Sequence, residues 1–179
     1  MENKRMRLVS SHRLALYVII PLHSSFSLGQ YGQSAATRGS DTITIGGEVE
    51  RPIKLSRADF SKLARKKVRA KDHSGKEAEY EGAVLVDVLR LAGVKFGEQM
   101  RGPSLALYLV VEAADGYKAV FALPELDPAF TDRVIILADH RDGKALEENE
   151  GPYRIVVPDE KRQARWVRQV IALTIRRGL

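Results

Sequence analysis

No cysteine occurs among the 179 residues, and that absence excludes the most. There can be no disulfide framework, cysteine nucleophile, thiolate zinc site or cysteine-held iron–sulfur cluster, and no thiolate ligand for any other metal. Aromatic residues make up only 7%, with a single tryptophan. No glycine-rich phosphate loop of either standard spacing is present, and no nucleophile-elbow pattern. Long repeats and low-complexity tracts are missing too. No apolar run reaches the roughly 20 residues that cross a bilayer, so no membrane span is expected. What is there is 44% hydrophobic and 29% charged residues. That composition, at this length, gives one domain with a sizeable core and excludes extensive disorder.

The start of the chain reads as a leader. Lys4, Arg5, Arg7 and Arg13 precede the apolar stretch from Leu14 to Leu22, the pattern of a secretory signal peptide. Cleavage is expected after Gly29, or near Ala35 or Ala36. The expected division is a signal peptide over 1–29, a linker over 30–40 and a domain over 41–179. The mature protein would then be periplasmic or secreted. The basic start Lys4-Arg5-Met6-Arg7 has no adjacent arginine pair, so export before folding is the simpler expectation.

The formal charge of the whole chain is +6, and removal of the leader leaves a small positive balance that hides segregation. Between Arg51 and Lys76 stand ten Lys or Arg against two acids, and between Arg154 and Leu179 seven against two. The two segments either converge on one face that attracts an anion or are solvated surfaces paired with neighbouring acids. A small net charge without interleaved aromatics gives nucleic acid little support as a partner.

The rest alternates short strands, turns and short helices. Thr42 to Ile45 has period two and is a strand. Ser56 is an N-cap for a helix over RADFSKLA. Lys66 to Asp72 and Glu77 to Glu81 form a hairpin about Ser74-Gly75. LVDVLRLAG sets Leu85, Val88, Leu89 and Ala92 on one helical face and ends at Gly93. The run Leu105 to Val111 is expected to be buried on both faces. Asp115-Gly116 turns it back into Tyr117 to Leu123. A short helix is expected from Pro124 to Phe130, a buried strand over Arg133 to Ala138 with a turn at Asp142-Gly143, and strands over Arg154 to Val157 and Val170 to Ile175. The fold class is α+β, a mixed sheet with short helices. Leu85, Leu89, Val110, Phe121, Ile135 and Val156 are expected to share one core.

Four segments in order, YEGAVLVDVLRLAGV, EAADGYKAVFALPELDP, ILADHRDGKAL and GPYRIVVPDEKRQARWVRQVIALTI, resemble the oxidoreductase molybdopterin-binding domain of the sulfite-oxidase type, in a small single-domain exported form. The resemblance covers roughly Asp41 to Ile175 and implies that fold, with molybdopterin as the cofactor. It also implies a metal-binding cysteine in the window Ala70-Lys71-Asp72, where none stands. A soft thiolate is not replaced by Lys or Asp without changing the metal's affinity and electronics. The family's upstream His-Asn pterin contacts and its dimerisation domain have no counterpart here.

What the resemblance leaves is an anion-binding half. Arg154, in the GPYR strand, falls where the family sets an arginine near substrate or cofactor, and Lys161, Arg162 and Arg165 beside Trp166 fall where the family holds the pterin phosphate. Lys71 and His73 complete the candidate cofactor-binding set. Arg154 could instead pair with Glu147, Glu148 or Glu150, and Trp166 could be core. Two Asp-His pairs, Asp72-His73 and Asp139-His140, could ligate a metal or act as base and orienter if their turns were neighbours; otherwise both are turn chemistry.

Three functions remain open. One is a binding domain for a small anionic ligand, a pterin or another oxyanion, without thiolate-ligated molybdenum redox chemistry of its own. The second is an interaction partner of another envelope protein. The third is an active molybdenum-dependent oxidoreductase with a non-cysteine metal site. Arg154 and Arg165 are expected to converge with basic side chains of the Arg65–Lys71 strand if an anion site exists.

Overall fold

Alternating polar and apolar side chains in TITIGG form the first strand, β1 (Thr42–Gly47), whose Ile43 and Ile45 are wholly buried while Thr44 faces outward. The computed structural model describes residues 41–178; the expected signal peptide and linker lie outside the described residues. Strand β2 (Ile53–Ser56) runs back antiparallel to β1. Ser56 then caps helix α1 (Arg57–Phe60), its Oγ accepting from Asp59 N at 3.1 Å. The helix is shorter than the expected RADFSKLA. Ser61 ends it with its Oγ on the Ala58 carbonyl at 2.8 Å, a local bond that competes with the next turn.

The hairpin β3 (Arg65–Lys71) to β4 (Glu77–Val84) turns at Ser74-Gly75 as expected. Gly82 in β4 sits at an irregularity opposite β7 (Ile136–Arg141). A Cβ there would lie 2.0 Å from the Leu137 carbonyl oxygen, so the Glu-Gly pair before helix α2 is fixed by backbone approach. Helix α2 (Leu85–Arg90) buries Leu85, Val86, Val88 and Leu89, and Gly93 adopts φ +83° past its end. At Gly47, with φ +87°, a Cβ would likewise strike the Ile175 carbonyl.

After two 3₁₀ turns, β5 (Leu107–Ala113) and β6 (Lys118–Ala122) form the Asp115-Gly116 hairpin. Here an expectation is corrected. The run Leu105 to Val111 is not buried on both faces. Leu109 and Val111 point into the core, Val110 pairs with the half-exposed Val120 on the opposite face, and Leu105 is 46% exposed. Val110 therefore leaves the expected core set, while Leu85, Leu89, Phe121, Ile135 and Val156 are all buried in one cluster.

Two further expectations shift. The segment after Ala122 is one 3₁₀ turn, Leu123–Glu125, rather than a helix to Phe130. Asp127 precedes Pro128, which disfavours helical backbone, and its buried carboxylate accepts from Ala129 N at 2.9 Å and Gly97 N at 2.6 Å. Strand β7 begins at Ile136, not Arg133, because the Ile135 carbonyl accepts from Leu85 N at 2.9 Å at the start of α2.

Strands β8 (Lys144–Ala145) and β9 (Arg154–Val156) each pair with β7, and β10 (Val170–Arg177) closes the fold. The strands form two five-stranded sheets. The first has the order β2-β1-β10-β5-β6, with β1 and β10 parallel. The second runs β3-β4-β7-β8, with β9 also on β7. This is the expected α+β class. Among the described residues no helix is long and apolar enough to cross a membrane.

Candidate functional site

The Asp72 turn links β3 to β4 and brings a carboxylate to the end of the second sheet. Its Oδ1 accepts from Ser74 Oγ at 2.6 Å, Ser74 N at 2.9 Å and Lys76 N at 3.0 Å. Its Oδ2 accepts from Arg141 Nη2 at 2.6 Å, across 69 residues of sequence. The Ser74 hydroxyl first, then the Arg141 guanidinium and the two amides, outweigh burial and hold the Asp72 carboxyl well below the usual carboxylate range. Burial opposes the charge on Arg141, but its bond to Asp72 and the fields of Tyr80 and Glu150 raise its affinity for the proton.

Arg154 lies next to this pair. It is 4% exposed, and its Nη1 donates to Glu150 Oε1. Glu150 also stands 3.8 Å from Arg141 Nη1. Both guanidiniums lie over the Tyr80 ring, at 5.5 Å for Arg141 and 5.6 Å for Arg154, and Arg154 also lies 5.3 Å from the Trp166 ring. Trp166 meets Tyr80 edge to face at 5.7 Å and donates its indole N–H to the Val157 carbonyl at 3.0 Å. So Trp166 is a core residue with one face on an arginine. Arg154 is paired with Glu150, one of the three acids the sequence offered, but on a buried strand rather than a surface one.

Two adjoining cavities flank this network and share His73 and Gln163. The first, of about 910 Å³, is lined by Arg154, Trp166, Tyr117, Glu148, Glu150 and Arg168, among others. Acids outnumber arginines on that wall, Asp115, Glu148 and Glu150 against Arg154 and Arg168. The second, of about 810 Å³, collects Arg69, Lys71 and His73 from the β3 side and Lys161 and Arg162 from the segment after β9. The Gln163 amide donates to the Lys71 carbonyl and ties the two segments together. The structure thus brings Lys71 and His73 to one cavity with Lys161, puts Arg154 and Trp166 on the neighbouring one, and sets Arg165 on neither.

Arg165 has other work. Its guanidinium bonds Glu160, and its Nη1 bonds Glu125 at 2.9 Å and the Val120 carbonyl at 3.3 Å. It lies 4.4 Å from the Phe121 ring centroid, while Glu125 accepts from Ala122 N at 2.8 Å. Arg165 and Glu125 together cap the outer edge of β6, a position that would otherwise offer free backbone groups to another strand. Arg165→Ala should cost about 1.5–3 kcal/mol, the scale of charged hydrogen bonds, as read by urea unfolding.

The two Asp-His pairs are turn and strand chemistry. Asp139 holds Arg65 and accepts from His140 Nδ1 at 2.9 Å, whereas Asp72 bonds backbone amides of its own turn. Among the described residues no group of three or more His, Cys, Asp or Glu could hold a metal ion. Two of the five basic residues of β3 are likewise answered locally, Arg65 by Glu81 at 3.2 Å and Lys67 by Glu79 at 2.8 Å. Arg141 and Tyr80 carry no sequence signal, because what makes them part of the site is register across the β4–β7 pair.

The sequence profile of the oxidoreductase molybdopterin binding domain matches residues 34–177. The chain belongs to that family. No curated protein matches. Among solved structures, the fold is similar to that in the crystal structure of the sulfane dehydrogenase SoxCD from Paracoccus pantotrophus, with a TM-score of 0.61 and 23% identity. The match covers 77% of this chain and 38% of that one, so the chain spans well under half of its structural neighbour. The family implies a molybdopterin, and the residues of this member fit the metal end of that group poorly. The expected ligand window offers Ala70, Lys71 and Asp72; Ala70 is buried and Asp72 has its oxygens engaged by four donors. Nothing there supplies a soft ligand.

Proposed function

We propose that this domain binds an anionic ligand, a pterin phosphate or another small oxyanion, at the wall formed by Arg69, Lys71, Lys161 and Arg162, and carries out no thiolate-ligated molybdenum chemistry of its own. The observation that carries this reading is the state of those four cations. Among the described residues none of them forms an ion pair, whereas two carboxylates of the same wall are already spoken for, Asp72 by Arg141 and Glu160 by Arg165. Glu77 and Asp159 are left facing four positive charges. An excess of unpaired cations around a concave surface raises the local concentration of anions. Arg162 adds a planar fork suited to two oxygens of one phosphate. The leader and the location outside the cytoplasm belong to the same reading, in which the ligand is met in the periplasm or the medium.

Calorimetric titration with inorganic phosphate tests this. Binding is expected to weaken as salt is raised and to fall about tenfold or more in Arg162→Ala. Lys66→Ala, on the same basic strand but off the cavity, should bind like the parent. Equal affinities of the parent and Arg162→Ala would overturn the site. Stoichiometric molybdenum in protein taken from its native compartment would overturn the claim about redox chemistry.

A further inference from the structure

We infer that the ion network Asp72–Arg141–Glu150–Arg154 takes over the structural place of the family's metal centre, so that this chain completes its fold as protein alone, with no metallated cofactor to be inserted. The inference rests on the reading that the thiolate window has lost its metal, and it goes further by saying what replaced it.

Asp72 stands in that window. A carboxylate has about four acceptor positions, and Asp72 uses four: three on Oδ1 from its own turn and one on Oδ2 from Arg141. Oδ1 is crowded by its own turn and Oδ2 is tied to a guanidinium, so a metal cation at Asp72 would have to sit against Arg141. The charges then alternate through Arg141, Glu150 and Arg154, and the four residues sum to zero. A neutral alternating chain is the arrangement in which buried charges are tolerable, since each has an opposite neighbour.

Aromatic rings cover one side of the chain. Tyr80 lies under both guanidiniums and Trp166 under one, with Tyr80 itself wholly buried. The polar atoms left unpartnered and buried in this cluster are the Tyr80 hydroxyl and Arg154 Nε. One is an N–H donor with no lone pair to give, and the other is a neutral phenol whose proton burial holds on more firmly. Beside two guanidiniums, neither attracts a metal cation. The network also has a consequence for assembly. It is made of residues 72, 80, 141, 150, 154 and 166, drawn from the second sheet and the turns at its end, so it forms only when that sheet has closed.

The test is to produce the full chain in two bacterial hosts, one able to make molybdopterin and one blocked in its synthesis. The expected result is a folded, cooperatively melting chain from both, with no stoichiometric molybdenum in either. Folded protein from the competent host only, or stoichiometric molybdenum bound to it, would overturn the inference; metal-free pterin would belong to the anion site instead. The network itself is read by Asp72→Asn, Arg141→Gln and the double variant. Each single change should lower the melting temperature by several degrees, and the double by clearly less than the sum, because it removes both charges together. Independent, additive losses would overturn the network. If Arg141→Gln does not fold, Arg141→Met, which also removes the charge, completes the same cycle with Asp72→Asn. Phosphate titration of the parent and Arg162→Ala is a separate readout, so failure of the anion site and failure of the network are distinguishable.

Discussion

Leu89→Ala should lower the unfolding free energy by about 2–5 kcal/mol, while Lys66→Ala leaves it within about 0.5 kcal/mol of the parent. Leu89 has no solvent exposure and sits on the inner face of α2 with Leu85, Val86 and Val88. Its carbonyl also receives Ala92 N at 3.0 Å, and the Leu85 amide at the other end of the helix is held by Ile135. A helix of six residues has little stability of its own, so the sheet contact holds it in place. Truncating Leu89 removes the transfer free energy of its methyl groups and leaves a cavity in surroundings pinned by backbone bonds at both helix ends, which restricts collapse. Lys66 lies exposed on an edge strand. Urea unfolding of the three proteins checks the pair, with unchanged denaturant slopes expected. Equal stability of Leu89→Ala and Lys66→Ala would mean that α2 packs by another face.

The contrast between those two positions also shows what was legible in the sequence. Leu85, Leu89 and Ala92 announced themselves because helical spacing is a local property, and the turns at Ser74-Gly75, Asp115-Gly116 and Asp142-Gly143 did so because positive φ is demanded locally. Val110 could not be placed the same way. It lies in an unbroken apolar run, and only the pairing with Val120 and Thr174 decides that it faces outward. Pro124 promised a helix, but the later Asp127-Pro128 pair ended it after one 3₁₀ turn.

In the candidate site the same division holds. The meeting of Lys71 and His73 with Lys161 was an open alternative in the charge pattern, since two basic segments either converge or stay paired with acids. Both occur. Arg65 and Lys67 are answered by β4 glutamates, while Arg69 and Lys71, farther along the same strand, reach the cavity. Arg165 looked like a ligand by its place beside Trp166, and it is held by two carboxylates and a strand edge that no local pattern could reveal. Asp72 drew attention for an absent thiolate, and its partner Arg141 is 69 residues away.

Arg154→Ala should cost about 3–5 kcal/mol, the usual penalty for removing one member of a buried ion pair. The side chains of Arg154 and Glu150 are only 5% and 12% exposed, so Glu150 would keep a charge that water reaches poorly. Arg141, at 3.8 Å, is already bonded to Asp72 and can answer it only in part. The loss extends to packing, because the guanidinium lies against both the Tyr80 and the Trp166 ring. Arg154→Lys keeps the charge and loses the plane, so it should fall between the parent and the alanine variant. The phosphate titration then separates two roles for this arginine. Its Nη1 is committed to Glu150 and its Nε is buried, so its part is to hold the wall between the cavities, and Arg154→Lys should bind phosphate nearly as well as the parent while melting earlier. A drop in phosphate affinity as large as that of Arg162→Ala, with melting unchanged, would instead make Arg154 a ligand in its own right and move the anion site into the larger cavity.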